Sequence, residues 1–299
     1  MFHHFYNEKH CRGQGAISIG QFEAVLTHYE KHILSAEEWF NRAVSNSLKD
    51  HDICLTFDDA LLCQYEVALP VLERYGLTAF WFVYSSVLDG GLEKLEIYRK
   101  FRTVCYACID DFYLDFFSRV KASAYNDAVE LALKGYAHDN WKYCPFYSPN
   151  DTKFRYIRDV ALGVDKYQEL MDRMICEQGI DLASFASDLW MTKEHVRSLC
   201  ARGHVIGLHS HTHPTVLADL PATEQQKEYG QNYRFLRDLL GKSPEVVSHP
   251  CNSYNVETLK ILAALGIRLG FRANMADHQY SRFEFAREDH ANVIRRIGQ

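Results

Sequence analysis

The stretch Leu55-Thr56-Phe57-Asp58-Asp59-Ala60 ends an apolar run in two adjacent carboxylates. Residues 53–57 have the β-branched and apolar composition of a short buried strand. Two charges at the end of such a strand are costly unless a metal ion or a proton neutralises them. The pair therefore predicts a functional site. The structural alternative is that Asp59 caps a helix that begins near Ala60.

The composition of the chain is typical of a globular protein. Its 299 residues are 47% hydrophobic, which suffices for a sizeable core in one large domain or two small ones. The 33 basic and 39 acidic residues give a net charge of -6 without a basic run, so we expect no nucleic-acid partner. The sequence has no apolar stretch long enough for a transmembrane segment.

The N-terminal residues and the cysteines indicate in which cellular compartment the protein is expected. Residues 1–8 lack the basic and apolar regions of a signal peptide. The nine cysteines are scattered, which is typical of reduced thiols rather than of a disulfide framework. We therefore expect a cytoplasmic protein. Cys105 and Cys108 form a Cys-x-x-Cys pair without a second such pair, and a metal or redox role for them is the less favoured interpretation.

The order of predicted elements indicates an α/β fold with an insertion. The strand that ends at Asp58 is followed by a helical pattern over residues 65–75 and by a second buried strand over residues 77–83, a βα unit that favours a parallel sheet or barrel. Residues 90–189 show only helical patterns. We predict a (β/α) barrel domain formed by residues 1–89 and 190–299. The helical insertion would pack on this barrel, and covering the mouth of the site is a hypothesis for its role.

Two histidines supply the partners that the carboxylates need. His209 and His213 lie four residues apart directly after the predicted strand 204–208. At this spacing both rings can bind one metal ion, in a helical turn or in a tight loop. One Asp would complete three protein ligands, which leaves the open position of a catalytic site. The other Asp would then serve as a general base. His211 should point away, and a polar surface loop is the alternative interpretation.

These motifs resemble those of a known family. Thr56-Phe57-Asp58-Asp59 is similar to the Thr-Phe-Asp-Asp motif of the NodB-type polysaccharide deacetylases, the family-4 carbohydrate esterases. The segment from His209 to Pro214 resembles the His-(Ser/Thr)-x-x-His motif of that family with its following Pro. The resemblance covers roughly residues 50–88 and 190–299, with the two metal motifs in the family's order.

The resemblance implies a fold, a reaction and a cofactor. The expected fold is a distorted (β/α) barrel with about seven strands, as in the family. Asp58 would be the general base, and Asp59, His209 and His213 would hold a divalent metal. Zinc is the implied ion, with cobalt, nickel or manganese as alternatives. The implied reaction is the hydrolysis of an N-acyl group, usually acetyl, from an amino sugar.

The third motif of the family, Arg-x-Pro-(Tyr/Phe)-Gly, is altered here to Ser248-His249-Pro250-Cys251-Asn252. The backbone N–H of Cys251 can still donate to an oxyanion, because the backbone does not depend on residue type. The missing Arg would orient the base. The segment Arg287-x-Asp289 offers a substitute, since Arg287 beside Asp58 would keep that carboxylate ionised. A surface salt bridge is the competing interpretation of Arg287.

The last motif of the family, Leu-x-His, supplies the general acid and does not follow Arg287 in this sequence. His249 is the first candidate to replace it, because it adjoins the predicted oxyanion segment. His290 and His4 are the other candidates. Each of these histidines has a purely structural alternative.

The functional hypothesis is a metal-dependent sugar N-deacetylase. Its expected substrate is an N-acylated amino sugar, free or nucleotide- or lipid-linked, from the synthesis of surface polysaccharide such as the O-antigen of lipopolysaccharide. A catalytically impaired relative that binds metal and sugar is the second hypothesis, suggested by the altered third motif and the absent Leu-x-His. A deacylase of another amide, such as a formamide, is a third.

Overall fold

The computed structural model describes residues 1–136, 148–276 and 281–298. Two compact units are present, one formed by Met1–Glu93 with Ala186–Gln299 and the other by Lys94–Phe185. The α-helices are, in chain order, α1 (Ile19–Tyr29), α2 (Ala36–Val44), α3 (Leu69–Arg74), α4 (Lys94–Val104), α5 (Ile109–Ala122), α6 (Asn126–Leu133), α7 (Pro149–Tyr156), α8 (Gly163–Glu177), α9 (Leu182–Ala186), α10 (Lys193–Ala201), α11 (Ala222–Leu240), α12 (Val256–Ala264) and α13 (His290–Arg296).

A curled parallel sheet is the framework of the first unit. Its five strands are hydrogen-bonded in the order of the chain, and every neighbouring pair is parallel. The strands are β1 (Thr56–Phe57), β2 (Phe80–Val83), β3 (Val205–Leu208), β4 (Val246–Ser248) and β5 (Leu269–Phe271). With helices flanking the sheet, this architecture confirms the predicted distorted (β/α) barrel.

Strand-like segments extend the sheet at both edges. Phe2 forms a parallel bridge to Phe57 beside β1, and Phe285 forms one to Phe271 beside β5. The two edge segments also meet. The N-terminal amine of Met1 donates to the Glu288 carbonyl at 2.7 Å, and the backbone N–H of His290 donates to the Met1 carbonyl at 3.1 Å. The ring of strands therefore closes through the two edge segments.

Aromatic side chains fill the core beneath the strand ends. Phe80, Phe82 and Phe271 are almost completely buried and pack together with Trp39 of α2. Each buried aromatic ring contributes roughly 1.5–3 kcal/mol of hydrophobic stabilisation. The centre of β3 is Gly207, where a Cβ would lie 2.6 Å from the Phe82 ring. The core thus requires glycine at this position.

The helix predicted after the carboxylate pair is irregular. It contains a π-helical turn, Gln64–Ala68, before α3. Within this turn the fully buried Gln64 side chain donates to the backbone carbonyls of His3 at 2.9 Å and Asp58 at 2.6 Å. Insertions of this kind are frequent at functional sites. Here the π turn supplies an amide that ties the N-terminal segment to the end of β1.

The second unit is helical and has its own aromatic core. Phe112, Phe116, Phe154 and Tyr167 pack ring against ring and are buried. These rings therefore form the core of the second unit. Cys105 and Cys108 belong to no metal-ligand group among the described residues. Within the described ranges, no helix combines the length and the apolar character needed to cross a membrane.

Candidate active site

The predicted site residues lie after the carboxyl ends of the strands. Asp58 and Asp59 follow β1, His209 follows β3, and Ser248 ends β4. Active sites of (β/α) barrels form at this end because loops from several strands converge there. The strand order alone therefore brings together residues that are far apart in sequence.

Asp58 forms a buried bidentate ion pair with Arg287. Its Oδ1 lies 2.7 Å from Nη1 of Arg287 and its Oδ2 lies 2.8 Å from Nη2, and both residues are at most 5% exposed. Burial alone would raise the pKa of Asp58. The charge of Arg287, the charge of His209 and the hydrogen bonds from Arg287 together outweigh burial and hold this pKa well below its usual range. Asp58 is therefore an ionised carboxylate in a fixed orientation.

Every N–H of the Arg287 guanidinium finds an acceptor. Nε donates to the Arg272 carbonyl at 2.9 Å, and Nη1 also donates to the Thr56 hydroxyl at 3.2 Å. Nη2 also donates to the Ser248 hydroxyl at 2.6 Å, and that hydroxyl donates to Asp58 Oδ2 at 3.1 Å. These bonds and the two to Asp58 use all five donors. Ser248, at the position of the family's Arg, thus supports Arg287.

Asp59 lies against the two histidines. Its Oδ1 is 3.2 Å from Nε2 of His209 and 3.4 Å from Nε2 of His213. The Nδ1 of His209 is 2.8 Å from the Ser248 carbonyl, to which it must donate because a carbonyl only accepts. Burial opposes the charged form of His209, but the carboxylates of Asp58 and Asp59 hold its pKa above the ordinary value. The site therefore favours a positive charge beside these carboxylates.

The donor set fits a divalent metal ion. Asp59 Oδ1 is buried and has no hydrogen-bond partner. In the neutral His209 ring Nε2 carries a lone pair, because Nδ1 holds the proton. One possible ligand atom each of Asp59, His209 and His213 lies within 4.8 Å of the others, so a cation could bind all three residues. One carboxylate oxygen and two imidazole nitrogens are the three-ligand set of catalytic zinc sites.

Left-handed backbone conformations concentrate in the loops that carry these ligands. Positive φ angles occur at Asp59 (76°), Ala60 (53°), Ser210 (61°) and His213 (58°). An N-cap residue has extended backbone, so the alternative that Asp59 caps a helix is wrong. His209 and His213 are likewise presented by a tight loop and not by a helix. Backbone strain of this kind is typical of functional sites.

His3 is a site residue that the sequence analysis missed. Its Nε2 lies 4.0 Å from Oδ2 of both Asp58 and Asp59. The bridge from Phe2 to β1 and the Gln64 amide bond to the His3 carbonyl hold it there. Burial lowers the pKa of His3 to about 4, although the two carboxylates act in the opposite direction. The available signal was the short apolar and aromatic segment around His3, Met1-Phe2-His3-His4-Phe5, which has a strand-like composition.

Asp289 and His290 lie on the other side of His3. One nitrogen or oxygen atom of each of these three residues lies within 4.8 Å of the others. The Asp289 carboxylate also caps α13 by accepting from the Ala291 N–H at 2.8 Å. His290 Nε2 donates to the Gly15 carbonyl at 2.7 Å. The predicted site residue Asp289 therefore borders His3 rather than Asp58.

The remaining sequence candidates have other contacts. His249 donates from Nε2 to the Phe283 carbonyl at 2.8 Å and stacks on Tyr254, and burial lowers its pKa to about 4. His4 packs beside His3 and its carbonyl accepts from the Ile17 N–H. Cys251 is exposed in the short turn after β4, with a φ of 49°. None of these contacts places His249 or His4 against a carboxylate of the pair.

Comparison with known proteins gives a family model that matches part of the sequence and solved structures that share the fold. The model of the family described as polysaccharide deacetylase matches residues 163–270, which include His209, His213 and the altered third motif. No curated protein matches the chain.

Several solved structures resemble the whole chain. The Streptococcus pyogenes deacetylase PplD, in complex with acetate, is 16% identical with a TM-score of 0.58, over 100% of this chain and 96% of its own. IcaB from Ammonifex degensii is 14% identical with a TM-score of 0.58, over 100% and 95%. A de-N-acetylase from Aggregatibacter actinomycetemcomitans is 14% identical with a TM-score of 0.56, over 99% and 97%.

At these identities the solved structures establish the fold, and the family model adds sequence evidence for one part of the chain. The two motifs around Asp58 and His209 occupy one site on that fold. The chain has the polysaccharide deacetylase fold, its residues 163–270 match the model of that family, and the predicted resemblance to the NodB-type deacetylases is confirmed.

Proposed function

We propose that the chain is a metal-dependent hydrolase that removes an N-acyl group, usually acetyl, from an amino sugar. The observation that supports it most is the different surroundings of two adjacent carboxylates. Asp58 is held ionised by Arg287, and Asp59 converges with two histidine nitrogens. A general base beside a metal ion is one arrangement that can hydrolyse an unactivated amide.

Asp59, His209 and His213 are the proposed metal ligands. Zinc suits their nitrogen and oxygen donors best, and cobalt, nickel or manganese are alternatives. A bound divalent ion would polarise the acyl carbonyl and lower the pKa of a water molecule. The hydrogen bond from His209 Nδ1 to the Ser248 carbonyl fixes the tautomer that presents Nε2 as the ligand.

Asp58 is the proposed general base. Arg287 keeps it ionised and oriented, so that it can take a proton from the attacking water. The backbone N–H of Cys251 is the proposed donor to the oxyanion that forms on the acyl carbon. The hydrolysis then requires a proton for the departing amine.

His3 is the proposed general acid, in place of His249, His290 or His4. Its Nε2 is 4.0 Å from Asp58 Oδ2, whereas the ring of His249 contacts Phe283 and Tyr254. With a pKa of about 4, His3 rests as the neutral imidazole at neutral pH. The proton that Asp58 removes from water would therefore pass to His3 and from there to the amine. Asp289 is the proposed positioning residue for His3.

The substrate class follows from the reaction and the fold. We propose an N-acetylated amino sugar, either in a polymer or as a nucleotide- or lipid-linked precursor of surface polysaccharide such as O-antigen. The alternative of a non-catalytic, sugar-binding relative rested on the altered third motif and the absent Leu-x-His. Arg287 and His3 offer replacements for both missing groups, which favours the enzyme.

Mass spectrometry of candidate sugars tests this proposal. The full chain is stripped of metal, reloaded with zinc, and incubated with N-acetylglucosamine oligomers and with nucleotide- and lipid-diphosphate-linked N-acetylated amino sugars. We expect acetate and a free amine from at least one of them, with zinc-loaded protein only. Binding of a sugar without deacetylation of any of them would support the non-catalytic alternative. Failure to bind zinc, cobalt and nickel would contradict both.

A further inference from the structure

The loop that presents the two histidines depends on contacts from outside it. Residues 209–213 follow β3, and both Ser210 and His213 have left-handed φ angles. L-residues rarely adopt this conformation, so the loop is not expected to hold its shape by local preference. Within it, the Ser210 hydroxyl accepts from the His213 N–H at 3.1 Å. The other bonds come from neighbouring elements.

Glu228 of α11 makes three of these bonds. Its Oε2 accepts from the backbone N–H groups of His211 at 2.9 Å and Thr212 at 2.8 Å. Its Oε1 accepts from the Thr212 hydroxyl at 2.8 Å. One carboxylate thus binds three donors in the segment between the two metal-ligand histidines. Hydrogen bonds to an ionised acceptor are among the stronger ones in proteins.

Asn232, one helical turn later on the same face of α11, continues the support. Its side chain is completely buried. Its Oδ1 accepts from the His209 N–H at 3.0 Å, and its Nδ2 donates to the Val83 carbonyl at the end of β2 at 2.9 Å. Two side chains of one helix therefore hold the loop at its start and at its middle.

We infer that Glu228 is a positioning residue for the metal site, which sets the relative placement of His209 and His213 and so the affinity of the chain for a divalent ion. This inference rests on the proposed function. Glu228 itself contacts neither histidine ring and acts through the backbone between them. Losing a partner that orients metal ligands typically costs 10–100-fold in metal affinity.

Competition titrations of zinc against a chromophoric chelator, with the metal-free full chain, test the inference. Glu228→Ala should raise the Kd for zinc at least about tenfold. Glu228→Gln should keep it near the wild-type value, because the amide oxygen can accept both backbone N–H groups and the amide nitrogen can donate to Thr212. Glu224→Ala is the matched control, since this exposed glutamate of α11 pairs only with Lys227 in the described contacts.

The thermal unfolding of the metal-free variants separates positioning from folding. A purely structural role would lower the Tm of metal-free Glu228→Ala and leave the Kd of the folded protein unchanged, which would overturn the inference. An equal loss in Glu228→Gln and Glu228→Ala would overturn it too, because charge rather than hydrogen bonding would then be responsible. If Glu228→Ala does not fold, Thr212→Val removes one of the three bonds and should still weaken zinc binding by a smaller factor.

Failure of the inference and failure of the proposed function give different results. Wild-type protein that binds none of zinc, cobalt and nickel would contradict the proposed function, whatever the variants do. Wild-type protein that binds zinc through Asp59, together with a Glu228→Ala variant of unchanged Kd, would contradict the inference alone.

Discussion

Asp58 and Asp59 have identical side chains in adjacent positions, but the partners of their carboxylates differ. Asp58 has a complete set of partners, because Arg287 and Ser248 donate to its oxygens. Asp59 Oδ1 is buried with no donor and faces two imidazole nitrogens. The protein therefore supplies the partners of the Asp58 carboxylate itself, whereas we propose that a cation completes the surroundings of the Asp59 carboxylate.

This difference supports the proposal that the two adjacent residues have separate roles, Asp58 as general base and Asp59 as metal ligand. The left-handed φ of Asp59 turns its side chain away from that of Asp58, toward the loop after β3. A base needs a fixed orientation and an ionised state, which a buried guanidinium provides. A metal ligand needs an open lone pair. Because the surroundings differ, substitution of Asp58 should affect the chemical step, and substitution of Asp59 should affect metal binding.

The largest expected effect is the separation of chemistry from metal binding. Asp58→Asn should lower kcat by about 10³-fold, the loss expected for a general base, while zinc stays bound. Asp59→Asn should instead weaken zinc binding, by more than the ~100-fold typical of an outer-shell partner. Zinc titrations and acetate release on the same preparations check both. Loss of zinc in Asp58→Asn, or full activity in it, would contradict the division of roles.

Removing the guanidinium should be the largest effect on stability. Arg287→Met leaves the Asp58 carboxylate buried and unpaired, which costs about 3–5 kcal/mol in the free energy of unfolding. Arg268→Met is the matched control, since Arg268 and Glu245 form an exposed pair worth at most about 1 kcal/mol. Urea unfolding of both variants measures the difference. Equal costs would show that Arg287 is not a buried partner of the base.

Arg287→Met should also change the pH dependence of stability and of kcat/KM. With Arg287 present, the folded-state pKa of Asp58 is lowered, so its contribution to stability is present above the unfolded-state pKa and is lost only as the pH falls through the folded value. Without Arg287, burial raises this pKa instead. The acid limb of the kcat/KM profile should then move to higher pH, and an unmoved limb would contradict the role of Arg287.

Replacing the proposed acid should have an intermediate effect. His3→Gln should lower kcat for an N-acetyl sugar by about 100-fold with little change in KM. It should hardly affect an acetate ester with a phenolate leaving group, because that leaving group needs no proton. Asp58→Asn should lose both activities, and His4→Gln should lose neither. An equal loss of ester and amide hydrolysis in His3→Gln would contradict the assignment.

The smallest predicted effect concerns the support of Arg287. Ser248→Ala leaves one N–H of the guanidinium without its acceptor, which costs about 1–2 kcal/mol. Zinc affinity should not change, because His209 donates to the backbone carbonyl of Ser248 and not to its side chain. Ser45→Ala, at an exposed hydroxyl of a helix end, is the control and should cost far less. Calorimetric unfolding measures both.

The fold class and the two motifs could be predicted from the sequence for local reasons. Arg287 was predicted from the resemblance to the family, because its contact with Asp58 joins distant parts of the chain. A buried strand followed by polar residues is a local pattern, and Asp58, Asp59, His209 and His213 each follow such a strand. The N-caps of α1 and α2 are likewise local, since the Ser18 and Ser35 side chains accept from backbone N–H groups three residues later. These features depend on neighbours within a few residues.

His3, Gln64 and Glu228 could not be placed from the sequence because their roles depend on tertiary contacts. His3 reaches Asp58 because the N-terminal segment pairs with β1 through the bridge from Phe2 to Phe57. This pairing joins residues more than fifty positions apart, so a local sequence pattern does not predict it. Gln64 lies in a π turn that looked like an ordinary helix. Glu228 is one of several acidic residues on a long helix, and only the packing of α11 against β3 distinguishes it.

The closed ring of strands has a consequence for how such sites can change over evolutionary time. Each strand end faces the same small volume, so a guanidinium or an imidazole can reach the carboxylates from more than one place in the chain. Here Ser248 and Arg287 come from different parts of the chain, and both donate to Oδ2 of Asp58. We propose that a group that orients such a carboxylate can move from one strand to another during evolution, so that the absence of one motif residue is weak grounds for assigning loss of activity.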